Sequence, residues 1–194
     1  MTIKEEKAEL RRQCSQIRNG ILDADKAEMD RAICKNVSSL AVFRFAQKVL
    51  LYHPIRSEAD VLPLMEMAIS MGKEVYFPLC DSNQTGKMTF HRVFSLSELE
   101  CGSFSVPEPR FEMPLYQNDT SFAVCVIPAL AYDVQGFRLG YGKGYYDRFL
   151  ADFSGTRIGV GYQALVLPKV PHNRFDLKAD LIVTEKGVRI TSEI

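Results

Sequence analysis

Residues 48–79 read KVLLYHPIRSEADVLPLMEMAISMGKEVYFPL, and this stretch decides the fold class. Its two continuous apolar runs, KVLLY (48–52) and EVYFPL (74–79), are typical of short strands that are buried on both faces. Between them, residues 61–71 favour a helix that ends at Gly72. Pro78 is expected to end the second strand. The stretch therefore predicts a strand–helix–strand unit, which implies a parallel sheet.

The flanking sequence extends this pattern. The apolar residues of the N-terminal segment recur at helical spacing and predict one buried stripe: Leu10, Cys14, Ile17 and Ile21. Asp25 and Glu28 have the spacing of a capping box at the start of a second helix, which is expected to run towards Leu40. Further strands are predicted at 87–93, 122–130, 157–162 and 179–184, whereas the proline-bearing segment 105–114 is predicted to be an extended loop. These elements predict one three-layer α/β/α domain over residues 1–194, with a mostly parallel, Rossmann-like central sheet.

The composition excludes several classes of protein. Lysine plus arginine and aspartate plus glutamate number 24 each, so the basic excess of a general nucleic-acid binder or a polybasic membrane anchor is missing. The charged N-terminus lacks the apolar core of a signal peptide, and no apolar run approaches the roughly 20 residues that span a bilayer. The five cysteines are scattered, which indicates reduced thiols. We therefore expect a soluble, cytoplasmic monomer without nucleic-acid or membrane partners.

A glycine-rich stretch, RLGYGKGYYDR (138–148), follows the most apolar predicted strand. In open α/β sheets, ligands bind beyond the carboxyl ends of the strands. Successive glycines let backbone N–H groups converge on an anion, and Arg138 and Lys143 would add full positive charges. The stretch is neither a Walker A loop nor GxGxxG. It predicts a phosphate-binding loop, and the alternative is a glycine-rich connection with surface charges.

Other residues could complete such a site. Asp147 is suited to holding Mg²⁺ beside phosphates, or it is simply a carboxylate favoured at a helix start. Lys7 and Arg11 lie one turn apart and could reach the same anion, or they could belong to a solvated helix face. Glu58 follows a strand at the same edge of the sheet, where a carboxylate could orient a polar heterocycle.

The longest of these patterns carries a resemblance. PALAYDVQGFRLGYGKGYYDRF (128–149) resembles the motif P-G-L-A-F-D-x-x-G-x-R-L-G-x-G-x-G-Y-Y-D-R of the 5-formyltetrahydrofolate cyclo-ligases, also called 5,10-methenyltetrahydrofolate synthetases. Further matches lie along the chain in the order and spacing of that family: Lys7, Leu10, Arg11, Glu58, PEP at 107–109, Asp176, Asp180 and Thr184. Ala129 stands where the family usually has Gly, and Tyr132 where Phe is common. A longer segment at 171–180 leaves His172 without a firm counterpart.

The resemblance implies an enzyme that converts 5-formyltetrahydrofolate to 5,10-methenyltetrahydrofolate with ATP as co-substrate and Mg²⁺ as cofactor. It implies an ATP site made of Lys7, Arg11, Arg138, Gly140, Tyr141, Gly142, Lys143, Gly144, Tyr146 and Asp147. It also implies a folate site made of His53, Glu58, Lys143, Gly144 and Tyr145. By the same resemblance, Asp147 and Asp176 would bind Mg²⁺, and Lys143, Glu58 and Arg138 would act in catalysis.

Two alternatives remain open at this point. A catalytically silent relative would bind nucleotide or folate only, although it would be expected to lose Lys143, Asp147 or Glu58, and all three are present. A different α/β enzyme on a similar scaffold, such as a sugar-phosphate isomerase or a CoA transferase, would not depend on ATP. Fold alone does not separate these functions.

Overall fold

The computed structural model describes residues 2–81, 83–102, 105–119 and 122–191, and seven of its strands form one central sheet. The helices are α1 (Ile3–Asn19), α2 (Asp23–Ser39), α3 (Ala41–Phe45), α4 (Pro63–Ser70) and α5 (Tyr145–Ala151). The first strands are β1 (Lys48–Leu50), β2 (Glu74–Cys80), β3 (Met88–Arg92), β4 (Glu100–Cys101), β5 (Pro107–Glu108) and β6 (Ala123–Pro128). The remaining strands are β7 (Ala131–Asp133), β8 (Arg138–Leu139), β9 (Thr156–Val160), β10 (Val166–Leu167), β11 (Leu181–Thr184) and β12 (Gly187–Ile190).

The central sheet has the order β12-β11-β9-β6-β1-β2-β3. Its inner strands β11, β9, β6, β1 and β2 pair in parallel, and the edge strands β12 and β3 are antiparallel. This confirms the predicted mostly parallel α/β sheet. The chain leaves β1 for β2 on one side, and β6 later inserts on the other side, so the strand order reverses between β1 and β6. Such a reversal opens a crevice at the carboxyl ends of the two strands.

Successive residues of the inner strands pack on opposite faces of the sheet. Val49 belongs to the core beneath α1–α4, whereas the next residue, Leu50, belongs to the core beneath α5. In β6, Val124 and Val126 face the first core, and Cys125 and Ile127 face the second. Both faces are buried because helices cover each of them, which explains why these strands are apolar without alternation.

A small second sheet holds the polypeptide that leads into the glycine-rich stretch. Strands β7 and β8 form a hairpin, and β10 pairs in parallel with β7. The buried carboxylate of Asp133 accepts hydrogen bonds from the N–H groups of Gln135 (2.9 Å), Phe137 (3.0 Å) and Val170 (2.9 Å). These bonds join the hairpin to the C-terminal segment, so the residues after β8 start from a fixed position.

Three expectations about local structure are wrong. Ile17 is 47% exposed, and the buried residues of α1 are Cys14 and Arg18. Helix α2 begins at Asp23 after Leu22, whose side chain cannot cap it, so the predicted capping box does not start this helix. Strand β2 continues through Pro78. Its pairing with β1 ends at Tyr76, so Pro78 does not have to donate a hydrogen bond to β1.

Smaller elements also differ from the sequence prediction. Residues 107–108, predicted as extended loop, form β5 and pair with β4. The edge strand β12 and the short helix α3 carried no clear pattern and were not predicted. Across the part of the chain that the structure describes, no helix combines the length and the apolar character needed to cross a membrane.

Packing around Gly159 predicts a stability effect. A Cβ at this central-strand position would lie 2.6 Å from the Tyr132 ring, whose hydroxyl is fixed by a 2.7 Å bond to the Ile127 carbonyl. We expect Gly159→Ala to lower the free energy of unfolding by about 1–3 kcal/mol, because the buried ring has to move. At Gly161 a Cβ would meet the same ring at 3.7 Å, an ordinary contact, so Gly161→Ala is the matched control. Urea unfolding measures both, and equal midpoints for the two variants would contradict the packing argument.

Candidate active site

Most of the polar residues singled out from the sequence lie in segments of the chain that follow β1 and β6, where the strand order reverses. The segment after β1 carries His53 and Glu58. Helix α1 lies across the same edge, because Arg18 donates a 3.3 Å hydrogen bond to the carbonyl of Ala129, the residue after β6. Three distant parts of the chain therefore meet at this crevice.

The glycine-rich stretch adopts a backbone that requires its glycines. We call residues 140–144 the glycine loop. Gly142 and Gly144 have φ values of +89° and +72°, in the left-handed region that side chains with a Cβ rarely adopt. The guanidinium of Arg11 packs against this loop, since a Cβ on Gly142 would lie 3.2 Å from its Nη2 atom. The Nε atom of Arg11 also donates to the Gly140 carbonyl at 2.7 Å. The loop and α1 thus form one surface.

Two ion pairs lie next to each other beside this loop. Lys7 Nζ contacts the Asp176 carboxylate at 2.6 and 2.8 Å, and Arg138 contacts Asp147 at 2.5 Å. The Leu177 amide donates to Asp147 at 3.2 Å, and the Leu177 carbonyl accepts from Arg138 at 3.0 Å. Because Leu177 follows Asp176 directly, the two carboxylates and the two cations form one cluster.

The cluster has a donor set that suits Mg²⁺ only when phosphate is present. Among the residues that the structure describes, no group of three histidine, cysteine, aspartate or glutamate side chains could hold a metal ion. Mg²⁺ is commonly bound by one or two carboxylates, with phosphate oxygens and waters as its other ligands. Asp147 and Asp176 supply two carboxylates at one place, so these residues fit an ion that arrives with a nucleotide.

Lys143 lies at the exposed tip of the glycine loop. Its backbone is fixed by Arg148, which donates to the Lys143 carbonyl at 2.9 Å and to the Gly86 carbonyl at 3.2 Å. Gly86 belongs to the hairpin between β2 and β3. Arg148 therefore fixes the loop against this hairpin, while Lys143 itself stays exposed to solvent.

Glu58 is a buried carboxylic acid, with 4% of its surface exposed. Burial raises the pKa of Glu58 to about 7, against the opposing effects of the Ile55 amide, Arg18, Tyr141 and Arg56. The Ile55 N–H donates to Glu58 Oε2 at 3.0 Å and fixes the carboxylate in the turn. A group with this pKa can exchange a proton near neutral pH, as a general acid or base requires.

The aromatic and imidazole residues of the predicted site have different surroundings. Tyr145 and Tyr146 are both half-buried and both pack against the core beneath α5. Burial raises the pKa of Tyr146 well above its ordinary value, and the guanidinium of Arg138 lies 6.0 Å from its ring centroid. The imidazole of His53 lies 3.2 Å from the Pro54 carbonyl. His172, which had no counterpart in the motif, stacks on Phe137 at 3.5 Å between ring centroids.

Three arginines near these residues were missed by the reasoning from sequence. Arg18 is seven residues after Arg11, two turns along the same helix face, so its spacing could have identified it. Arg148 follows Asp147 within the glycine-rich motif, but its two carbonyl contacts are set by the fold. Arg56 has a positive φ of 54°, a strained conformation for a residue with a side chain, and nothing in the sequence indicates it.

The amino-acid sequence of this chain is similar to those of known proteins. A model described as the 5-formyltetrahydrofolate cyclo-ligase family matches residues 3–185. The chain is 28% identical over 175 residues to the probable 5-formyltetrahydrofolate cyclo-ligase of Schizosaccharomyces pombe, covering 81% of this chain and 85% of the relative. It is 26% identical over 180 residues to the 5-formyltetrahydrofolate cyclo-ligase of Escherichia coli K12, covering 89% and 97%.

Solved structures show the same architecture. The NMR structure of Aquifex aeolicus 5,10-methenyltetrahydrofolate synthetase superposes with a TM-score of 0.84 at 32% identity, over 97% of this chain and 94% of that one. A synthetase from Mycoplasma pneumoniae has a TM-score of 0.74 at 23% identity, over 92% and 98%, and shares the fold. Because the family match extends from the cations of α1 through the glycine loop to β11, this chain belongs to the 5-formyltetrahydrofolate cyclo-ligase family.

Proposed function

We propose that this protein converts 5-formyltetrahydrofolate to 5,10-methenyltetrahydrofolate at the expense of ATP, with release of ADP and phosphate. The observation that carries the proposal is the position of the glycine loop between two kinds of site. On one side, Arg11 contacts the loop at Gly140 and the Lys7 and Arg138 pairs lie nearby. On the other side, Tyr141 of the same loop interacts with the buried Glu58 and lowers its pKa. The first side suits a polyphosphate, and the second suits a proton transfer.

The chemistry requires ATP because a formamide oxygen is a poor leaving group. In the proposed reaction, the formyl oxygen attacks the γ-phosphorus and ADP departs. The N10 lone pair then attacks the formyl carbon, the N10 proton is lost, and the carbon–oxygen bond breaks to release phosphate. No covalent bond to the protein forms, so the enzyme would act by positioning and by electrostatic stabilisation.

The cationic side is proposed to hold ATP. Lys7, Arg11 and Arg138 would neutralise the phosphates, and Lys143 would contact the phosphoryl group during transfer. The backbone of the glycine loop can approach the nucleotide closely, since Gly140, Gly142 and Gly144 have no side chains. Tyr141, Tyr146 and Asp147 complete the proposed ATP site.

Asp147 and Asp176 are the residues proposed to hold Mg²⁺. The ion would supply positive charge to the phosphate oxygens when it is bound. In the structure these carboxylates neutralise Arg138 and Lys7, so nucleotide binding would exchange carboxylate partners for phosphate partners on both cations. In this proposal, the two carboxylates position the cations before the nucleotide binds.

The buried side is proposed to hold the folate. Glu58 would accept the proton that N10 loses, and a pKa of about 7 suits this role. His53 and Tyr145 would contact the folate, and Lys143 and Gly144 would lie between the two substrates.

The proposal includes a monomeric enzyme that acts in the cytoplasm, without nucleic-acid or membrane partners. The balance of 24 basic and 24 acidic residues supports the absence of nucleic-acid and membrane partners, because both would call for a basic excess.

The first prediction concerns the reaction itself. Purified protein with MgATP and 5-formyltetrahydrofolate should generate the absorbance of the methenyl product, with one ADP released per product. The E. coli relative serves as the positive control for substrate quality. An absorbance change without ATP, or none under conditions in which the relative is active, would contradict the proposed function.

The second prediction concerns Lys143. We expect Lys143→Ala to lower kcat by roughly 10²–10³-fold, as for removal of one preorganised stabilising donor. The fold should be unaffected because this side chain is exposed. Lys35→Ala, at an exposed position on α2, is the matched control and should keep the wild-type rate. Near-normal turnover by Lys143→Ala would refute the role assigned to this residue.

The third prediction is a pH dependence. Glu58 has to be ionised to accept a proton, and its pKa of about 7 lies above the ordinary value of 4.5. The ratio kcat/KM should therefore rise about tenfold per pH unit well below pH 7 and level off above it. We call this rising part of the pH profile the acid limb. In Glu58→Gln this limb should disappear along with most of the activity. A wild-type limb near pH 4.5 would contradict the raised pKa of Glu58, and a limb that persists in Glu58→Gln would show that Glu58 is not the base.

A further inference from the structure

We propose that Arg18 is a positioning residue for this reaction: it binds the Tyr141 hydroxyl and so holds the glycine loop in register with the Glu58 carboxylate. This inference rests on the proposed function. It assigns a role to a residue outside the matched motifs and gives the loop a second task besides nucleotide binding.

The geometry around Arg18 supports this role. The residue is 3% exposed, and its Nη2 atom donates to the Tyr141 hydroxyl while its Nη1 atom donates to the Ala129 carbonyl. Two cations lie near the Tyr141 ring, with centroid distances of 5.8 Å to Arg18 and 5.0 Å to Arg56. Tyr141 is therefore held at both its hydroxyl and its ring.

The direction of the hydrogen bonds suits a chain from Arg18 through Tyr141 to Glu58. An arginine can only donate, so the Tyr141 oxygen is the acceptor of the Arg18 bond. The phenol has one hydrogen, and this hydrogen is then available to Glu58, since the Tyr141 hydroxyl interacts with this carboxylate and lowers its pKa. Because Tyr141 lies between Gly140 and Gly142, a movement of the loop at the nucleotide would also change this bond.

Packing alone does not explain a cation at this position. Burial of a charged group is costly unless it is paired and hydrogen-bonded. Within the described part of the chain, the Nε atom of Arg18 has no hydrogen-bond partner. The cavity that Arg18 faces is lined by small, aliphatic and aromatic residues, such as Ala59, Ala129, Leu130 and Tyr162. An apolar residue would fill this space at a lower desolvation cost. We therefore infer that the positive charge of Arg18 has a role of its own.

The charge of Arg18 acts on Glu58. The Ile55 amide, Arg18, Tyr141 and Arg56 each lower the pKa of Glu58 against the effect of burial. The other titratable groups that interact with Glu58 are tyrosines whose pKa values are raised by desolvation, and they are therefore neutral near pH 7: Tyr52, Tyr132 and Tyr146. Removal of Arg18 should therefore raise the pKa of Glu58 further.

The test compares Arg18→Met, Tyr141→Phe and the double variant with wild type. In Arg18→Met the acid limb of kcat/KM should move to higher pH, and activity at pH 6 should fall about tenfold if the limb moves by about one pH unit. Tyr141→Phe should move the limb in the same direction. In the double variant the acid limb should move by less than the sum of the two single shifts, because the residues act through one hydrogen-bonded chain.

A structural role for Arg18 would give a different result. Cys14→Ala removes a buried, uncharged side chain from the same face of α1 and is the control. It should lower stability without moving the limb. If Arg18→Met does the same, with additive effects in the double variant, the inference is overturned. Tyr141→Phe retains the ring in its loop and tests the same chain of bonds even if Arg18→Met does not fold.

A direct titration separates this inference from the proposed function. ¹³C NMR of the carboxyl groups in ligand-free protein, with Glu58→Gln to assign the signal, reports the pKa of Glu58 without turnover. A higher pKa in Arg18→Met supports the inference, and an unchanged pKa contradicts it whether or not the protein is active. Absence of turnover by wild type counts against the proposed function alone.

Discussion

The inner strands of the central sheet are buried on both faces, and this constraint determines where chemistry can take place. Val49 and Leu50 show the consequence, since consecutive residues of β1 enter two different apolar cores. A polar side chain within such a strand would have to be buried without water on either side. The functional groups are therefore displaced to the segments beyond the carboxyl ends of the strands. In open α/β sheets, ligands bind where the strand order reverses, as it does here between β1 and β6.

Helix α1 presents three cations to this crevice. Lys7, Arg11 and Arg18 recur along one face, and each has a different partner: a carboxylate, a loop carbonyl and a phenol. The free protein neutralises Lys7 with Asp176 and Arg138 with Asp147. Arg18 differs because its hydrogen bonds go to a carbonyl and a phenol, and its charge acts on Glu58 beside Tyr141. The helix thus contributes to both the cationic and the buried side of the proposed site.

Much of this arrangement could be predicted from the sequence, and the errors have physical causes. The continuous apolar runs located β1, β2 and β6, because strands buried on both faces leave a strong local signal. The motif at 138–148 located the glycine loop. The stripe predicted for α1 was wrong at Ile17, because periodicity assumes that the buried face is apolar and here it carries Arg18. Strand β2 passes Pro78 because its neighbour β1 is shorter, a fact that depends on pairing.

The sequence by itself determined the fold class, the family and the residue types of the proposed site, because these depend on local patterns and on a long motif. Only the tertiary structure decided the protonation behaviour of Glu58, whose pKa depends on burial and on cations from α1 and from its own turn. It also decided that Arg18 and Tyr141, 123 residues apart, contact each other. Interactions of this kind are set by distances in space, and spacing along the chain does not determine them.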